Sequence, residues 1–153
     1  MTELTIRDLR ADDFDSWAEL YRGYRAFYLL ADDDAVIERT WAWLLAREHG
    51  LHGIVAEGEG GGLIGLAHLR LFARPSSGAL GLYLDDLFTR TDARGAGIGG
   101  RLLDRCAELA TESGATIVRW ITAVDNNTAR SLYDAKGRAT SWVTYEMDAA
   151  FVG

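Results

Sequence analysis

The chain has 153 residues, of which 48% are hydrophobic, and a formal net charge of −7 at pH 7. This length suits one compact domain over residues 1–153, and the negative charge argues against nonspecific nucleic-acid binding, which depends on lysine and arginine contacts to phosphates. No apolar run approaches the roughly 20 residues of a membrane span, and the N-terminus lacks the pattern of a signal peptide, so we expect a cytoplasmic protein that does not bind a membrane.

The first half of the chain predicts a strand, two helices and a hairpin. Residues 4–10 alternate apolar and polar side chains, as a half-buried strand does. Asp12 and Asp13 then offer an N-cap for a first helix, and the aspartates at 32–34 offer one for a second helix that ends at Gly50. Strands over 54–56 and 63–72 flank the glycine-rich segment 58–62, which is typical of a hairpin turn.

One face of the first predicted helix is aromatic and allows two interpretations. Its members recur at intervals of three and four residues: Phe14, Trp17, Tyr21, Tyr24 and Tyr28. Core packing is the simpler explanation of such a stripe. Aromatic faces and carboxylates also attract cations, so the three tyrosines and the aspartates at 32–34 could instead line a pocket for an amine.

The second half of the chain predicts strands and helices in alternation. A strand over 80–89 leads into a glycine-rich loop, and a helix follows from Ile98 to about Thr111, with Gly114 as its C-cap. A strand over 116–124, a short helix containing Tyr133 and a strand over 142–147 come next. The predicted order β-α-α-β-β-β-α-β-α-β implies an α/β fold in which helices cover both faces of a mixed sheet.

The cysteine and the histidines do not form a recognisable metal or disulfide pattern. Cys106, the single cysteine, lies on the apolar stripe of its predicted helix, so we expect it to act as a small buried hydrophobe. His49, His52 and His68 lack the spacing of paired metal ligands. The sequence therefore predicts no metal site.

A loop rich in glycine joins the strand over 80–89 to the following helix. It reads Asp92-Ala93-Arg94-Gly95-Ala96-Gly97-Ile98-Gly99-Gly100-Arg101. Glycine permits positive φ and close approach of a ligand, and the first helical turn leaves N–H groups without intrahelical partners. Together with the positive end of the helix dipole, these donors suit a pyrophosphate. The alternative is a simple surface turn before a helix.

Three separate segments resemble the GCN5-related N-acetyltransferase (GNAT) superfamily. They are Arg94-Gly95-Ala96-Gly97-Ile98-Gly99, which fits the family signature, the strand Tyr83 to Thr89, and the helix Asn126 to Tyr133. The acidic pair in that strand and the segment Trp120-Ile121-Thr122 most resemble polyamine and diamine acetyltransferases and the yeast relatives that acetylate histones and polyamines. Thr91 stands where a proline is frequent, and Gly137-Arg138 replaces the usual glycine-phenylalanine pair.

The resemblance implies a GNAT-like fold in which two neighbouring strands splay apart and acetyl-CoA binds at the gap. The pyrophosphate would lie on the main-chain amides of Arg94, Gly95, Ala96, Gly97, Ile98 and Gly99. The pantetheine arm would pair with Leu87, Phe88 and Thr89 in the manner of an added strand. Asn126, Ser131 and Tyr133 would complete the cofactor site, and the candidate substrate-binding residues are Tyr21, Tyr24, Tyr28 and Trp120.

An amine acceptor must lose a proton before it can react, because an alkylammonium has a pKa of about 10.4. Asp85 and Asp86 are carboxylates in an apolar strand beside the expected thioester, and strand alternation predicts that they point to opposite faces. The resemblance favours Asp85 as the residue that faces the substrate. Since an ordinary aspartate is a poor base, direct proton transfer, relay through water and binding of the ammonium all stay open.

The resemblance gives Tyr133 the role of the acid that protonates the departing thiolate. A strand N–H near Leu87 would hold the oxyanion, because this chemistry rewards preorganised donors. The expected reaction is therefore direct transfer of an acetyl group from acetyl-CoA to a primary amine. The candidate acceptors are a polyamine or diamine, an amino acid, an aminoglycoside, or a protein lysine.

Two other functions fit parts of the sequence. Residues 95–100 also match a dinucleotide-binding pattern, but the first glycine lies too far beyond the strand. The acid that should end the next strand about 20 residues on would be Asp125, which lies 30 residues beyond Gly95. A non-catalytic sensor would keep the acyl-CoA site but would need neither Tyr133 nor the acidic pair. For the quaternary structure we expect a homodimer that pairs through the aromatic-rich C-terminal strand ending in Phe151-Val152-Gly153.

Overall fold

The computed structural model describes residues 3–150, so Phe151, Val152 and Gly153 of the predicted dimer contact lie outside the described residues. A five-stranded sheet has the order β1-β2-β3-β4-β5. Its strands are β1 (Thr5–Asp8), β2 (Leu51–Glu57), β3 (Leu63–Arg74), β4 (Ala79–Thr89) and β5 (Ala115–Arg119). The first four pair antiparallel and β5 lies parallel to β4, which confirms the predicted mixed sheet.

Helices cover both faces of the sheet, as predicted. They are α1 (Phe14–Phe27), α2 (Asp34–Ala46), α3 (Ile98–Glu112) and α4 (Asn127–Lys136). Helices α1 and α2 enclose one core, which includes Trp17, Ile37, Val55, Leu66 and Phe88. Helix α3 encloses the other, which includes Ile54, Leu69, Leu84, Leu102 and Cys106. Neighbouring residues such as Ile54 and Val55 fall in different cores because successive strand side chains point to opposite faces.

The prediction for Cys106 is confirmed, because the residue is fully buried in the core beneath α3. Burial disfavours the charged thiolate and raises the pKa of the thiol to about 12. A thiol in this state is inert as a nucleophile.

An ion-pair network fixes the start of α1, the helix that carries the aromatic stripe. Both Arg7 terminal nitrogens lie 2.8 Å from the Asp13 carboxylate, and Arg7 Nε donates to Glu57 across the sheet at 2.6 Å. The sequence predicted that the Asp13 side chain would cap α1, but it forms no capping hydrogen bond with this helix. The corresponding prediction for α2 is confirmed, since the Asp33 carboxylate accepts the N–H groups of Ala35 and Val36.

The pairing of β3 with β4 contains a bulge at the acidic pair. His68 lies opposite Asp86, but the next residue, Leu69, lies opposite Leu84, so Asp85 is an extra residue in β4. Such an insertion breaks the alternation of side chains along the strand. Leu84 therefore faces the core beneath α3, while Phe88 faces the core beneath α1.

The C-terminal part of the chain differs from its predicted form. Strand β5 ends at Arg119 rather than at 124, and residues 142–147 form no strand. Trp142, Tyr145 and Met147 are largely exposed there. The prediction of a final strand is wrong for this chain in isolation, because a β-prone segment becomes a strand only when a neighbouring strand pairs with it.

Across the described range 3–150, no helix combines the length and the apolar character needed to cross a bilayer.

Candidate functional site

Strands β4 and β5 separate at the edge where the acidic pair lies. Their pairing includes Leu82 with Val118 and Tyr83 with Arg119, whereas β4 continues to Thr89. Residues 84–89 therefore border a gap on the side away from β3, which confirms the predicted splay. Main-chain groups that face such a gap are free to pair with an extended ligand.

Asp86 lies at the centre of a buried polar chain on the α1 face of this gap. One oxygen of its carboxylate is 2.7 Å from His68 Nδ1 and accepts a hydrogen bond from the Tyr21 hydroxyl at 2.9 Å. The indole N–H of Trp17 donates to His68 Nε2 at 3.0 Å. His68 is only 1% exposed and Trp17 is fully buried. This hydrogen-bonded series runs from Trp17 in the core through His68 to the Asp86 carboxylate.

The Trp17 contact fixes the tautomer of His68. An indole nitrogen can only donate, so Nε2 of His68 must offer a lone pair, and the ring proton must then sit on Nδ1. From Nδ1 it points at the Asp86 carboxylate. Nδ1 of His68 is therefore the donor to Asp86, and Nε2 accepts from Trp17.

These donors keep Asp86 ionised. Burial acts to raise the pKa of the Asp86 carboxyl. The hydrogen bond and the electrostatic attraction of His68, together with the hydroxyls of Tyr24 and Tyr21, outweigh burial and hold the pKa below its ordinary value. Burial raises the pKa values of Tyr21 and Tyr24, and the negative charge of Asp86 adds to that increase. The site thus contains one fixed anion surrounded by neutral phenols.

Asp85 has a different environment from Asp86. Its carboxylate accepts from Arg70 Nε at 2.9 Å, and its side chain is 30% exposed. Arg70 follows His68 by two residues on β3 and so lies on the same face of the sheet, which places Asp85 on that face as well. The expectation that the two aspartates point to opposite faces is wrong, because the bulge at Asp85 breaks the alternation. It is Asp86, rather than Asp85, that lies among the tyrosines.

The tyrosine stripe of α1 extends from Asp86 toward α4. The rings of Tyr21 and Tyr24 stack at 5.4 Å, and those of Tyr24 and Tyr28 lie 4.9 Å apart. Burial and the charge of Asp86 raise the pKa of Tyr28, whereas the charge of Arg94 lowers it. Tyr28 is thus close to both the carboxylate and the glycine loop.

Tyr133 lies on α4 at the far end of this stripe. Burial raises the pKa of its hydroxyl, and the neighbouring Tyr28 adds to the effect. Its ring meets Trp120 edge-on at 5.4 Å. Trp120 also lies against Gly137, where an added Cβ would come within 3.3 Å of the indole. Trp120 therefore packs behind Tyr133, and nothing places its ring beside Asp86.

The glycine loop before α3 has a conformation that requires glycine at two positions. Gly95 and Gly97 have φ values of +87° and +78°, and an added Cβ at either would meet no atom within 4 Å. Space is open here, so the backbone conformation rather than crowding demands glycine. At Gly99, by contrast, a Cβ would approach Leu132 of α4 to 3.1 Å.

Arg94 links the loop to β4 and the aromatic cluster. Its Nε donates to the Thr89 carbonyl at 3.3 Å, and its guanidinium lies 5.2 Å from the Phe27 ring and 5.6 Å from the Phe88 ring. The first turn of α3, with its free N–H groups, is thereby held beside the unpaired end of β4.

The polar residues at the start of α4 are engaged within the chain. Asn126 Nδ2 donates to Thr122 Oγ1 at 3.1 Å, and the Ser131 hydroxyl donates to the Asn127 carbonyl at 3.2 Å. The amide oxygen of Asn126 has no hydrogen-bond donor among the described residues, so it can accept from a ligand.

Two members of the polar chain, His68 and the indole nitrogen of Trp17, are absent from the site predicted from sequence. Trp17 is apparent there only as part of an aromatic stripe, and His68 only as a histidine without a metal partner. The sequence signal that could have indicated this pair was a histidine within the apolar strand 63–72 together with an aspartate in the next strand. The pairing register that brings them together was not readable from either strand alone.

Comparisons with known proteins place the chain in a family. The model of the acetyltransferase (GNAT) family matches residues 14–137. The chain is 34% identical over 151 residues to the uncharacterized N-acetyltransferase YhfO of Bacillus subtilis, covering 97% of this chain and 94% of the relative. It is 26% identical over 144 residues to the D-amino-acid N-acetyltransferase HPA3 of Saccharomyces cerevisiae, covering 94% and 89%.

Solved structures share the fold. The structure of AAC(6')-Iy in complex with a bisubstrate analog matches with a TM-score of 0.83 at 16% identity, covering 97% of this chain and 99% of that chain. The chain belongs to the acetyltransferase (GNAT) family, and the resemblance noted from three sequence segments is confirmed. Membership of this family makes it an acyltransferase.

The tautomer of His68 can be measured directly. We expect the ring ¹⁵N shifts of His68 at pH 7 to show a protonated Nδ1 and an unprotonated Nε2, because Trp17 donates to Nε2. A Trp17→Phe variant removes that donor and should allow the other tautomer, while the exposed His49 serves as the internal reference. A protonated Nε2 in the unaltered protein would contradict the assignment.

Proposed function

We propose that the protein transfers an acetyl group from acetyl-CoA to a primary amine, with both substrates bound together. One observation carries this proposal. An ionised carboxylate, Asp86, is held inside a tyrosine-lined cluster at the end of β4 that borders the gap, beside the glycine loop of α3. A fixed anion among aromatic rings suits an alkylammonium, and the free amides of a helix N-terminus suit a pyrophosphate.

The residues around the gap fit acetyl-CoA. The open space at Gly95 and Gly97 lets phosphates approach the loop amides, which we assign to residues 94–99. The side of β4 away from β3 at Leu87, Phe88 and Thr89 offers main-chain groups to an extended amide-bearing arm. We assign Asn126, Ser131 and Tyr133 to the other side of this cofactor site. When bound, the cofactor supplies an acetyl group activated as a thioester.

Asp86 is better suited to hold the amine than to deprotonate it. A carboxyl whose pKa lies below its ordinary range is a weak base, but it attracts an ammonium strongly when both are shielded from water. Asp85, the more exposed carboxylate beside it, has a pKa that burial raises and Arg70 moderates. We assign Asp86 to binding of the substrate ammonium. The ammonium then loses its proton to a water molecule near Asp85.

Tyr133 is proposed as the acid for the departing thiolate. Its raised pKa keeps the hydroxyl protonated at neutral pH, so that a proton is available to donate. The effect of Tyr28 on the pKa of Tyr133 supports a position for this hydroxyl near the tyrosine cluster. An N–H of β4 near Leu87 would hold the developing oxyanion.

The test of this proposal is release of free thiol from acetyl-CoA with a panel of amines. The panel includes polyamines, D- and L-amino acids, an aminoglycoside and a lysine peptide, since the relative HPA3 bears the name of a D-amino-acid N-acetyltransferase. We expect turnover with at least one class. Asp86→Asn should lower kcat/KM on the order of 10²-fold, chiefly through KM, because it removes the partner of a shielded ammonium.

Asp85→Asn is the matched control, and we expect a smaller effect on KM there because Asp85 already pairs with Arg70. Binding of CoA without turnover of any amine would overturn the proposed reaction and would favour an acyl-CoA sensor. An effect on KM confined to Asp85→Asn would reverse the roles of the two aspartates.

A glycine pair separates cofactor binding from fold stability. Gly97→Ala forces alanine into a left-handed conformation in the proposed phosphate loop, and Gly78→Ala does the same in a distant turn with φ of +60° and equally open space. Both variants should lose about 1–2 kcal/mol of stability. Only Gly97→Ala should weaken CoA binding in calorimetry. Equal CoA affinity in the two variants would contradict the location of the site.

Substitution of Tyr133 tests the proposed acid. Tyr133→Phe keeps the ring against Trp120 but removes the hydroxyl, so turnover should fall about ten-fold to a thousand-fold with little change in CoA affinity. Tyr83→Phe, on the sheet away from α4, is the control for loss of a phenol. Unchanged turnover in Tyr133→Phe would remove Tyr133 from the chemistry.

A further inference from the structure

Arg25 lies on α1, one turn beyond Tyr21, and its guanidinium is only partly satisfied by the protein. Its Nη2 donates to the Ala31 carbonyl at 2.8 Å, whereas its Nε is buried and has no hydrogen-bond partner among residues 3–150. Over the same range Arg25 forms no salt bridge. A buried donor without an acceptor costs free energy, so such an atom calls for a functional explanation.

Arg25 is close to the carboxylate that we assign to the substrate ammonium. Residues four apart on a helix are neighbours on one face, so Arg25 follows Tyr21 along the same side of α1. The Tyr21 hydroxyl donates to Asp86 at 2.9 Å. Burial and the charge of Asp86 raise the pKa of Tyr21, and the charge of Arg25 acts in the opposite direction. A carboxylate and a guanidinium therefore lie on either side of one phenol.

The other carboxylates in this region already have partners within the chain. Asp85 accepts from Arg70 Nε at 2.9 Å. Of the aspartates at 32–34, the first and third bind Arg22, and the second accepts the first N–H groups of α2. A polyamine needs a further carboxylate for each further ammonium group, and these contacts leave Asp86 as the carboxylate without a cationic partner other than His68. The charges of the site thus suit a substrate with one ammonium and one anionic group.

We propose that the acceptor is an amino acid whose ammonium binds Asp86 and whose carboxylate binds Arg25, an assignment that rests on the proposed acetyl transfer. A guanidinium presents parallel N–H groups that match the two oxygens of a carboxylate. The substrate would supply the acceptor that Arg25 lacks and would neutralise its charge. The aromatic rings of Tyr21 and Tyr24 would then lie beside the ammonium.

The products follow from the balance of the reaction. The amine nitrogen forms a bond to the acetyl carbon as the C–S bond of the thioester breaks. Two protons leave the ammonium nitrogen: one is released to water, and the other balances the proton that Tyr133 gives to the sulfur. The products are an N-acetyl amino acid and free CoA.

The test compares each amino acid with the amine that lacks only its carboxylate. The pairs are alanine with ethylamine and leucine with isopentylamine, with both enantiomers of each amino acid, and the measurement is kcat/KM for thiol release from acetyl-CoA. We expect the unaltered protein to prefer the amino acid. In Arg25→Gln that preference should fall about ten-fold to a hundred-fold, because hydrogen bonds between charged groups are lost. Since each pair is measured in both proteins, the intrinsic reactivity of the amines cancels.

Two further variants separate binding of a carboxylate from the contact with Ala31. Arg25→Lys keeps the positive charge and should retain part of the preference. Arg39→Gln removes an exposed arginine of α2 that forms no salt bridge within the described range, and it should leave the preference as it is. An equal loss for both members of each pair in Arg25→Gln would overturn the proposal, because Arg25 would then only brace the loop at Ala31.

Failure of this substrate assignment is distinguishable from failure of the proposed reaction. An unaltered protein that prefers the plain amines, or a polyamine, would overturn the role of Arg25 and leave acetyl transfer intact. If no amine releases thiol, calorimetry of alanine and leucine with the CoA-loaded protein decides. Binding that Arg25→Gln weakens ten-fold or more would support the carboxylate site without the reaction, and lack of binding would overturn both.

Discussion

The hydrogen bond between His68 and Asp86 is the constraint on which the site depends. A carboxylate among aromatic side chains is costly unless donors surround it, and here His68 and Tyr21 bind it while Trp17 holds His68 in the required tautomer. Trp17 and Tyr21 belong to α1, whereas His68 belongs to β3. Packing of α1 against the sheet and ionisation of Asp86 are therefore parts of one arrangement.

Irregular pairing in the sheet creates the rest of the site. The bulge at Asp85 turns Asp86 toward α1, and the parting of β4 from β5 after Tyr83 leaves the next residues of β4 open to a ligand. A regular β4 paired along its full length would bury Asp86 in the core beneath α3 and close the gap. The geometry of the proposed acetyl transfer thus comes from two departures from regular pairing within one strand.

Strand β5 ends at Arg119, and within residues 3–150 no strand pairs with its outer edge. The segment after α4 forms no strand in that range and leaves Trp142, Val143, Tyr145 and Met147 largely exposed. A β-prone segment stays irregular when no neighbouring strand pairs with it.

The sequence by itself determined the features that are local: the alternating strands, the helix cap at Asp33, the glycine conformations at Gly95 and Gly97, and the family segments around them. These depend on backbone propensity and near neighbours. Only the tertiary structure decided that Asp86 rather than Asp85 lies among the tyrosines, that His68 belongs to the site, and that residues 142–147 stay unpaired. Each of these depends on which strands pair and in what register, and register arises from contacts between residues distant in the chain.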